Sequence, residues 1–322
     1  MPPAAKRRPK ALHKGDRIAV VSPASAVRAK QSLDAGIARL RRLGFRPQLM
    51  PHALASLDYP SKGQLAGSDD DRLADLQAAI SDPQWRGIFC TRGGYGVTRL
   101  LERIDFAPLR KDPKPVLGYS DITALLAAQW KSAGVVGFHG PMVATTEKFA
   151  SGRDCAALQD ALVTDTRHAP ELPRMGTPHV ICPGQSEGVL VGGNLSLVVA
   201  LIGTPWEIDT HGAILFLEDV DEAPYSIDRM LTQLLQTGAL RHARGVVLGD
   251  FHLDETPLAS ESPRVVRVLR DRLSALSCPV AHGFPFGHRP RAWTLPFGGR
   301  ARLDAGDEGK PAALVLLEPA VV

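Results

Sequence analysis

Two loops that follow short apolar runs carry the residue types needed for acyl transfer. The first, TRGGYG at residues 91–96, follows the apolar run 87–90 and supplies three glycines, whose backbone N–H groups can converge on a phosphate or an oxyanion. The second, GYSD at residues 118–121, follows the apolar run 115–117 and precedes an apolar helical pattern. A serine on a sharp strand-to-helix turn projects its hydroxyl at the edge of a sheet. Ser120 is therefore a candidate nucleophile, with the following N–H aimed at the same space.

Each loop also has a purely structural interpretation. The glycine run lacks the GxGxxG spacing and the lysine of a P-loop, so a tight turn explains it equally well. A GxSxG nucleophile elbow needs glycine where Ile122 stands, which excludes a straightforward α/β-hydrolase. Ser120 or Asp121 could simply cap the following helix, and this alternative stays open until a base is identified.

A serine nucleophile needs a base and an acid that orients the base. Glu218 follows the apolar residues 214–217, and a carboxylate at the end of a buried strand is costly without a partner. His288 ends the segment GFPFGH, and His139 in GFHGP is its rival. Each histidine, taken alone, is more often a buried structural imidazole than a catalytic one.

The overall composition is that of a globular protein. The chain has 322 residues, with 38 Lys and Arg against 34 Asp and Glu, and 44% of its residues are hydrophobic. Five cations lie in residues 1–14, so the rest of the chain, with 33 basic and 34 acidic residues, is nearly neutral. This distribution argues against a nucleic-acid-binding face. No apolar run approaches the roughly 20 residues of a membrane-spanning helix.

Signals for export and for disulfide bonds are both weak. The Arg7-Arg8 pair resembles the start of a twin-arginine signal, but proline and charged residues interrupt the apolar region that should follow it. The four cysteines are widely spaced and form no CxxC pair, so they indicate neither a zinc site nor a disulfide framework. We therefore expect reduced thiols and a cytoplasmic protein.

The order of apolar patterns predicts two domains. In the first half, short β-rich runs alternate with helical patterns, which is typical of an α/β layer with parallel strands. Proline and glycine concentrate near 170–184, as in a connection between domains. We predict a basic flexible tail at 1–14, an N-terminal α/β domain at 15–165, a linker at 166–187 and a smaller α+β or barrel-like domain at 188–322.

Taken in order, these motifs resemble the serine-type LD-carboxypeptidase family, which contains the muramoyltetrapeptide carboxypeptidases and the microcin C self-immunity peptidases. The resemblance spans almost the whole chain and is carried by GDRIAVVSPAS at 15–25, RGGYG at 92–96, GYSD at 118–121, HGPM at 139–142, GGNL at 192–195, LED at 217–219 and FGH at 286–288. It implies a flavodoxin-like or amidotransferase-like N-terminal layer and a smaller C-terminal domain. A homodimer is expected by the same analogy.

The resemblance also implies roles for individual residues. Ser120 would be the nucleophile, His288 the general base and Glu218 the carboxylate that orients it, in a triad assembled across two domains. The backbone N–H groups of Gly94 and Asp121 would form the oxyanion hole. No cofactor and no metal are implied.

The implied reaction releases terminal D-Ala from cytoplasmic murein tetrapeptide, by hydrolysis of the bond between an L-centre and the D-residue, as part of peptidoglycan recycling. The immunity branch instead cleaves an aminoacyl or peptidyl nucleotide amide and stacks the base on an aromatic side chain. Segment 175–187 contains no Trp, Tyr or Phe, which favours the murein substrate. Two other classes remain open: a two-lobed binding protein without catalysis, and a metal hydrolase that uses Asp219, Asp221 and Glu222.

Overall fold

The chain divides into two compact units in the computed structural model, which describes residues 6–59, 64–145, 158–159, 161–163, 172, 177–252, 262–288, 292–306 and 311–322. The first unit comprises Met1–Asp165, Thr294–Phe297 and Ala320–Val322. The second comprises Thr166–Trp293 and Gly298–Pro319. Two short C-terminal segments of the chain thus belong to the first unit. The predicted division, with residues 188–322 as one domain, does not include this.

The elements of the N-terminal half alternate between strands and helices. They are β1 (Arg17–Val21), α1 (Lys30–Arg42), β2 (Arg46–Leu49), β3 (Leu57–Asp58), β4 (Gln64–Leu65), α2 (Asp69–Ser81), β5 (Gly87–Cys90), α3 (Ala107–Lys111), β6 (Val116–Gly118), α4 (Ile122–Ala133) and β7 (Gly137–His139). Two 3₁₀ helices, Val97–Arg99 and Leu101–Arg103, lie between β5 and α3.

The C-terminal half continues with longer strands. Its elements are β8 (His179–Cys182), β9 (Gln185–Asn194), α5 (Leu195–Ala200), β10 (Ala213–Val220), α6 (Pro224–Gln236), α7 (Ala239–His242), β11 (Gly245–His252), α8 (Pro263–Leu273), β12 (Val280–His282), β13 (Leu295–Phe297), β14 (Arg300–Asp304) and β15 (Ala313–Leu316).

The main sheet of the first unit has, in the described part of the chain, the strand order β13-β7-β6-β5-β1-β2. All neighbours pair in parallel except β13, which is antiparallel to β7. Because the chain runs from β1 to β2 on one side and through β5, β6 and β7 on the other, the strand order reverses between β1 and β5. Ligands bind beyond the carboxyl ends of strands at such a reversal. The loops after β1 and β5 are therefore the expected place for a site.

Helix α2 begins where three successive aspartates indicate a helix start. The Ser68 hydroxyl accepts a hydrogen bond from the Asp71 backbone N–H at 3.1 Å, and the Asp71 carboxylate accepts one from the Ser68 N–H at 3.0 Å. This reciprocal pair is a capping box, and the acidic first turn complements the helix dipole. The cap fixes the start of the helix, which lies beside the loop that follows β5.

Residues 7–12 differ from the flexible tail that the sequence predicts. Arg7 forms a β-bridge with Val135, and Leu12 is fully buried in the core of the first unit. The Val322 N–H donates to the Pro9 carbonyl at 2.9 Å, so the chain end packs beside this segment. Burying a leucine side chain stabilises the folded state by about 2 kcal/mol. The prediction of a flexible tail considered only the charges of this segment and not this apolar residue.

The second unit has its own mixed sheet, with the order β15-β14-β9-β10-β11-β12-β8 among the described strands. The four central strands, β9 to β12, pair in parallel, and the outer strands are antiparallel. Strand β8 and the start of β9 lie inside the predicted linker. Although this segment is rich in proline and glycine, β8 pairs with β12 and forms an edge strand of the sheet. The predicted fold class, an α/β layer followed by a separate C-terminal domain, is confirmed. No helix in the described ranges is long and apolar enough to cross a membrane.

Candidate active site

Ser120 lies at the junction between β6 and α4, where the sequence predicts a strand-to-helix turn. Its φ angle is +62°, in the left-handed region that residues with a side chain rarely adopt. Such a conformation costs on the order of 1–3 kcal/mol and persists where the surrounding structure enforces it, most often at functional sites. The turn therefore has the strained geometry of a nucleophile elbow, although Ile122 stands where that motif has glycine.

The glycine run after β5 packs directly against this turn. A methyl group on Gly93 would lie 2.7 Å from the Ser120 Cβ and 2.9 Å from its Oγ. Gly94 has a φ of +107°, and a methyl group there would collide with the Ser25 hydroxyl. In the part of the chain that the structure describes, no acceptor receives a hydrogen bond from the Gly94 or the Asp121 backbone N–H. Donors left available beside a hydroxyl are what an oxyanion requires.

Asp121 joins the serine turn to the end of the glycine run. Its carboxylate, 2% exposed, accepts a hydrogen bond from the Val97 backbone N–H at 2.9 Å. Burial raises the pKa of Asp121 to about 6, against the opposing effects of that N–H and of the Arg72 guanidinium. The side chain does not cap α4, so the capping alternative is wrong for Asp121.

Arg72 connects the loops after β1 and β5 by hydrogen bonds to a backbone carbonyl in each loop. The side chain is fully buried and donates to the Pro23 carbonyl at 2.6 Å and to the Gly96 carbonyl at 2.9 Å, while it also pairs with Asp69. Desolvation lowers the pKa of Arg72, and the Asp69 carboxylate opposes that effect. One buried cation thus holds both loops at the point where the strand order reverses.

In the second unit, Glu218 and His288 form a close pair. Glu218 lies near the end of β10, and its side chain is completely buried. His288 Nδ1 is 2.6 Å from Glu218 Oε2, and the histidine side chain is 16% exposed. Because an ionised carboxylate only accepts hydrogen bonds, Nδ1 carries a proton, and in the neutral imidazole Nε2 is then the nitrogen with the lone pair. This is the arrangement that makes an imidazole a base.

Backbone irregularities on both sides bring these two residues together. The register between β10 and β11 shifts between Leu217 and Asp219, so Glu218 sits at a β-bulge. Gly287 has a φ of +108°, and a methyl group on it would lie 2.8 Å from Glu218 Oε2. Only glycine permits this close approach of the His288 loop to the carboxylate.

Asp219, the acidic residue next to Glu218, is held by hydrogen bonds within the second unit. Asp219 accepts hydrogen bonds from the Asn194 side chain at 2.8 Å and from the Ser196 N–H and hydroxyl at 2.9 and 2.6 Å. Burial, together with the charge of Glu218, raises the pKa of Asp219 to about 6. Asp219 therefore anchors the first turn of α5. Among the described residues, no group of three or more His, Cys, Asp or Glu side chains is placed to hold a metal ion.

His139, the rival histidine, lies at the end of β7 in the first unit. It is 1% exposed, pairs in register with Gly118, and its ring meets Tyr119 edge-on at a centroid distance of 6.0 Å. The buried ring thus packs against the residue that precedes Ser120.

Sequence reasoning gave no separate role to two residues that shape the site. Arg72 follows three aspartates at a helix start and looks like a surface charge, and Ser25 appears only as the last residue of the motif at 15–25. Gly287 does have a detectable signal, because it immediately precedes the candidate histidine in the motif at 286–288.

The two units also match known domains. Residues 18–140 match the LD-carboxypeptidase N-terminal domain, and residues 187–303 match the LD-carboxypeptidase C-terminal domain. The chain therefore belongs to the LD-carboxypeptidase family, which confirms the resemblance seen in its motifs.

Two homologues and one more distant structure illustrate the relationship. A probable murein peptide carboxypeptidase of Bacillus subtilis is 38% identical over 307 residues, covering 94% of this chain and 92% of that protein. The crystal structure of a muramoyltetrapeptide carboxypeptidase from Oxalobacter formigenes has a TM-score of 0.76 at 31% identity, covering 94% of this chain and 99% of the other. The structure of MccF in complex with glutamyl sulfamoyl guanosine has a TM-score of 0.84 at 22% identity, covering 98% and 99%. This last similarity is one of fold.

Proposed function

We propose that this chain is a serine carboxypeptidase that hydrolyses the L,D bond of murein tetrapeptide and releases its terminal D-Ala. The observation that carries the proposal is the strained serine turn, beside which two backbone donors have no acceptor among the described residues, in a chain that also pairs a histidine with a buried carboxylate. Relatives named for murein peptide and muramoyltetrapeptide carboxypeptidase activity support the choice of substrate.

In the proposed mechanism, Ser120 Oγ attacks the carbonyl of the L-residue while His288 Nε2 accepts its proton. Glu218 holds the imidazole through Nδ1 and stabilises the imidazolium that forms. The Gly94 and Asp121 N–H groups bind the oxyanion. His288 then donates the proton to the leaving nitrogen of D-Ala, and water hydrolyses the acyl-serine by the reverse sequence.

The test is incubation of the purified chain with tetrapeptide ending in D-Ala, followed by measurement of free D-Ala. The Ser120→Ala protein is the matched control, because it removes one oxygen atom from the site. We expect release from the parent chain and none from the variant. A chain that binds tetrapeptide without releasing D-Ala would be a binding protein, and one that cleaves only an aminoacyl sulfamoyl adenylate would have the activity of the immunity branch.

We also propose that the protein acts in the cytoplasm, on recycled murein peptides, as a homodimer. The widely spaced cysteines support a reducing compartment. Light scattering on the purified full chain would give the mass of one or two copies, and cell fractionation would give the compartment.

A further inference from the structure

Arg92 places a cation next to the candidate oxyanion donors. Its Nη1 donates to the Ala26 carbonyl at 3.0 Å, which fixes the orientation of the guanidinium. Its Nη2 lies 3.6 Å from the position that a methyl group on Gly94 would take. A methyl group on the preceding residue, Gly93, would lie 2.9 Å from Ser120 Oγ. The guanidinium and the hydroxyl therefore lie beside consecutive residues of one loop, whose Cα atoms are about 3.8 Å apart.

The charge of Arg92 is not neutralised by an acid within the described ranges. Burial lowers the pKa of Arg92, the charge of Arg28 lowers it further, and only the Tyr119 side chain acts in the other direction. A partly buried guanidinium that is held by one carbonyl has donors left for an anion. Arg72, in contrast, is paired with Asp69. Because no described carboxylate of the chain pairs with Arg92, the arrangement around it favours an anionic ligand.

We propose that Arg92 binds the C-terminal carboxylate of the substrate and makes the enzyme a carboxypeptidase rather than an endopeptidase. This inference rests on the proposed function. In a peptide, three bonds separate the scissile carbonyl carbon from the carboxylate carbon of the terminal residue, a distance of about 4 Å. Because the hydroxyl lies beside Gly93 and the guanidinium beside Gly94, a substrate of this span is long enough to reach from one residue of the loop to the next. A charged hydrogen bond of this kind contributes about 1.5–3 kcal/mol.

The test compares tetrapeptide carrying a free terminal carboxylate with the same peptide carrying a terminal amide. The parent chain should prefer the acid by at least about 100-fold in kcat/KM, because a donor built for an anion is left unpaired by an amide. Arg92→Gln should lose about 100-fold on the acid, mostly through KM, and change the amide by less than about threefold. Arg92→Lys should recover part of the preference, since it restores the charge without the planar fork.

Arg103→Gln is the matched control, because Arg103 is a surface arginine of the same unit that pairs with the exposed Asp70. It should leave the ratio of acid to amide unchanged. Equal losses on acid and amide in Arg92→Gln would make Arg92 a structural support for the loop and overturn the proposal. An unchanged rate on the acid would overturn it as well.

A binding measurement separates this proposal from the proposed function. Calorimetric titration of the acid and the amide into Ser120→Ala and into Ser120→Ala with Arg92→Gln requires no turnover. A preference for the acid that disappears in the double variant supports Arg92 even if the parent chain hydrolyses neither peptide. Equal affinity for acid and amide in Ser120→Ala would overturn the role of Arg92 even if hydrolysis is observed.

Discussion

His288 and Glu218 are joined by a contact of 2.6 Å between Nδ1 and Oε2, with the carboxylate wholly buried and the imidazole partly exposed. The pair is built as a base with its orienting acid. Ser120→Ala and His288→Ala should therefore each lower kcat by about 10⁴ to 10⁶, and Glu218→Ala by somewhat less. Double variants should lose little more, because residues that act as a unit are not additive.

Rates of D-Ala release and thermal unfolding, measured on the same preparations, check this prediction. The unfolding curves separate a lost catalytic group from a protein that does not fold. A folded Ser120→Ala protein that keeps more than about a tenth of the parent turnover would remove Ser120 from the mechanism.

The contact between Gly93 and Ser120 gives a second prediction. A methyl group on Gly93 would lie 2.7 Å from the Ser120 Cβ, too close for either atom to stay in place. Gly93→Ala should thus displace the nucleophile and lower kcat by about 100-fold. Gly203→Ala is the control, since Gly203 has a φ of +77° and no atom within 4 Å of an added methyl group. It should lose stability through backbone strain and keep its kcat, and equal kcat values in the two variants would contradict the steric argument.

The local order of the chain could be predicted because it depends on neighbouring residues. An apolar run followed by glycine and polar residues predicted the turn at Ser120, which lies between β6 and α4. Long-range pairing was not predictable in this way. Strand β13 joins β7 although some 155 residues separate them, and Leu12 is buried by partners distant in sequence.

The candidate site was also predictable only in part. The roles of Ser120, Glu218 and His288 came from family resemblance and remain proposals. The supporting residues were missed because an arginine such as Arg72 becomes buried only when two distant loops present carbonyls to it. The spacing of residues along the sequence does not show which distant loops come together in the fold.

Asp121 gives a prediction about pH and stability. Its pKa rises from 3.8 to about 6 on folding because of burial, so the folded chain binds a proton more tightly than the unfolded chain. The stabilising contribution of the protonated group is complete below about pH 4 and is lost as the pH rises through about 6. Relative to Asp121→Asn, the parent chain should lose up to about 3 kcal/mol of stability across that interval.

Urea unfolding of both proteins at several pH values between 4 and 7.5 measures this difference. The raised pKa of Asp219 is present in both proteins, so the difference between them isolates Asp121. A stability difference that is independent of pH would show that Asp121 does not change its protonation on folding in this range.

Chelation distinguishes the serine mechanism from the metal alternative. A serine nucleophile activated by an imidazole needs no metal, and Asp219 is already occupied by three hydrogen bonds from Asn194 and Ser196. EDTA should therefore leave D-Ala release unchanged. Inactivation by EDTA that Zn²⁺ or Mn²⁺ reverses would favour a site built on Asp219, Asp221 and Glu222.

Stereochemistry gives the most demanding prediction. The proposed site accepts an L-configured acyl residue and a D-configured leaving residue with a free carboxylate. Tetrapeptide ending in D-Ala should be hydrolysed, whereas its L-Ala epimer, its C-terminal amide and the pentapeptide ending in D-Ala-D-Ala should be poor substrates. The pentapeptide is the informative case, since its terminal bond joins two D-centres and presents the acyl side chain on the wrong side of Ser120.

Comparison of kcat/KM for tetrapeptide and pentapeptide measures this selectivity. Both peptides offer the same terminal D-Ala carboxylate to Arg92, so recognition of the leaving residue alone predicts similar values for the two. A difference of about 100-fold or more would place the selectivity on the acyl side, where Ser120 and its two backbone donors fix the face from which the carbonyl is attacked. Comparable values would instead define a general D-amino-acid carboxypeptidase and contradict LD specificity.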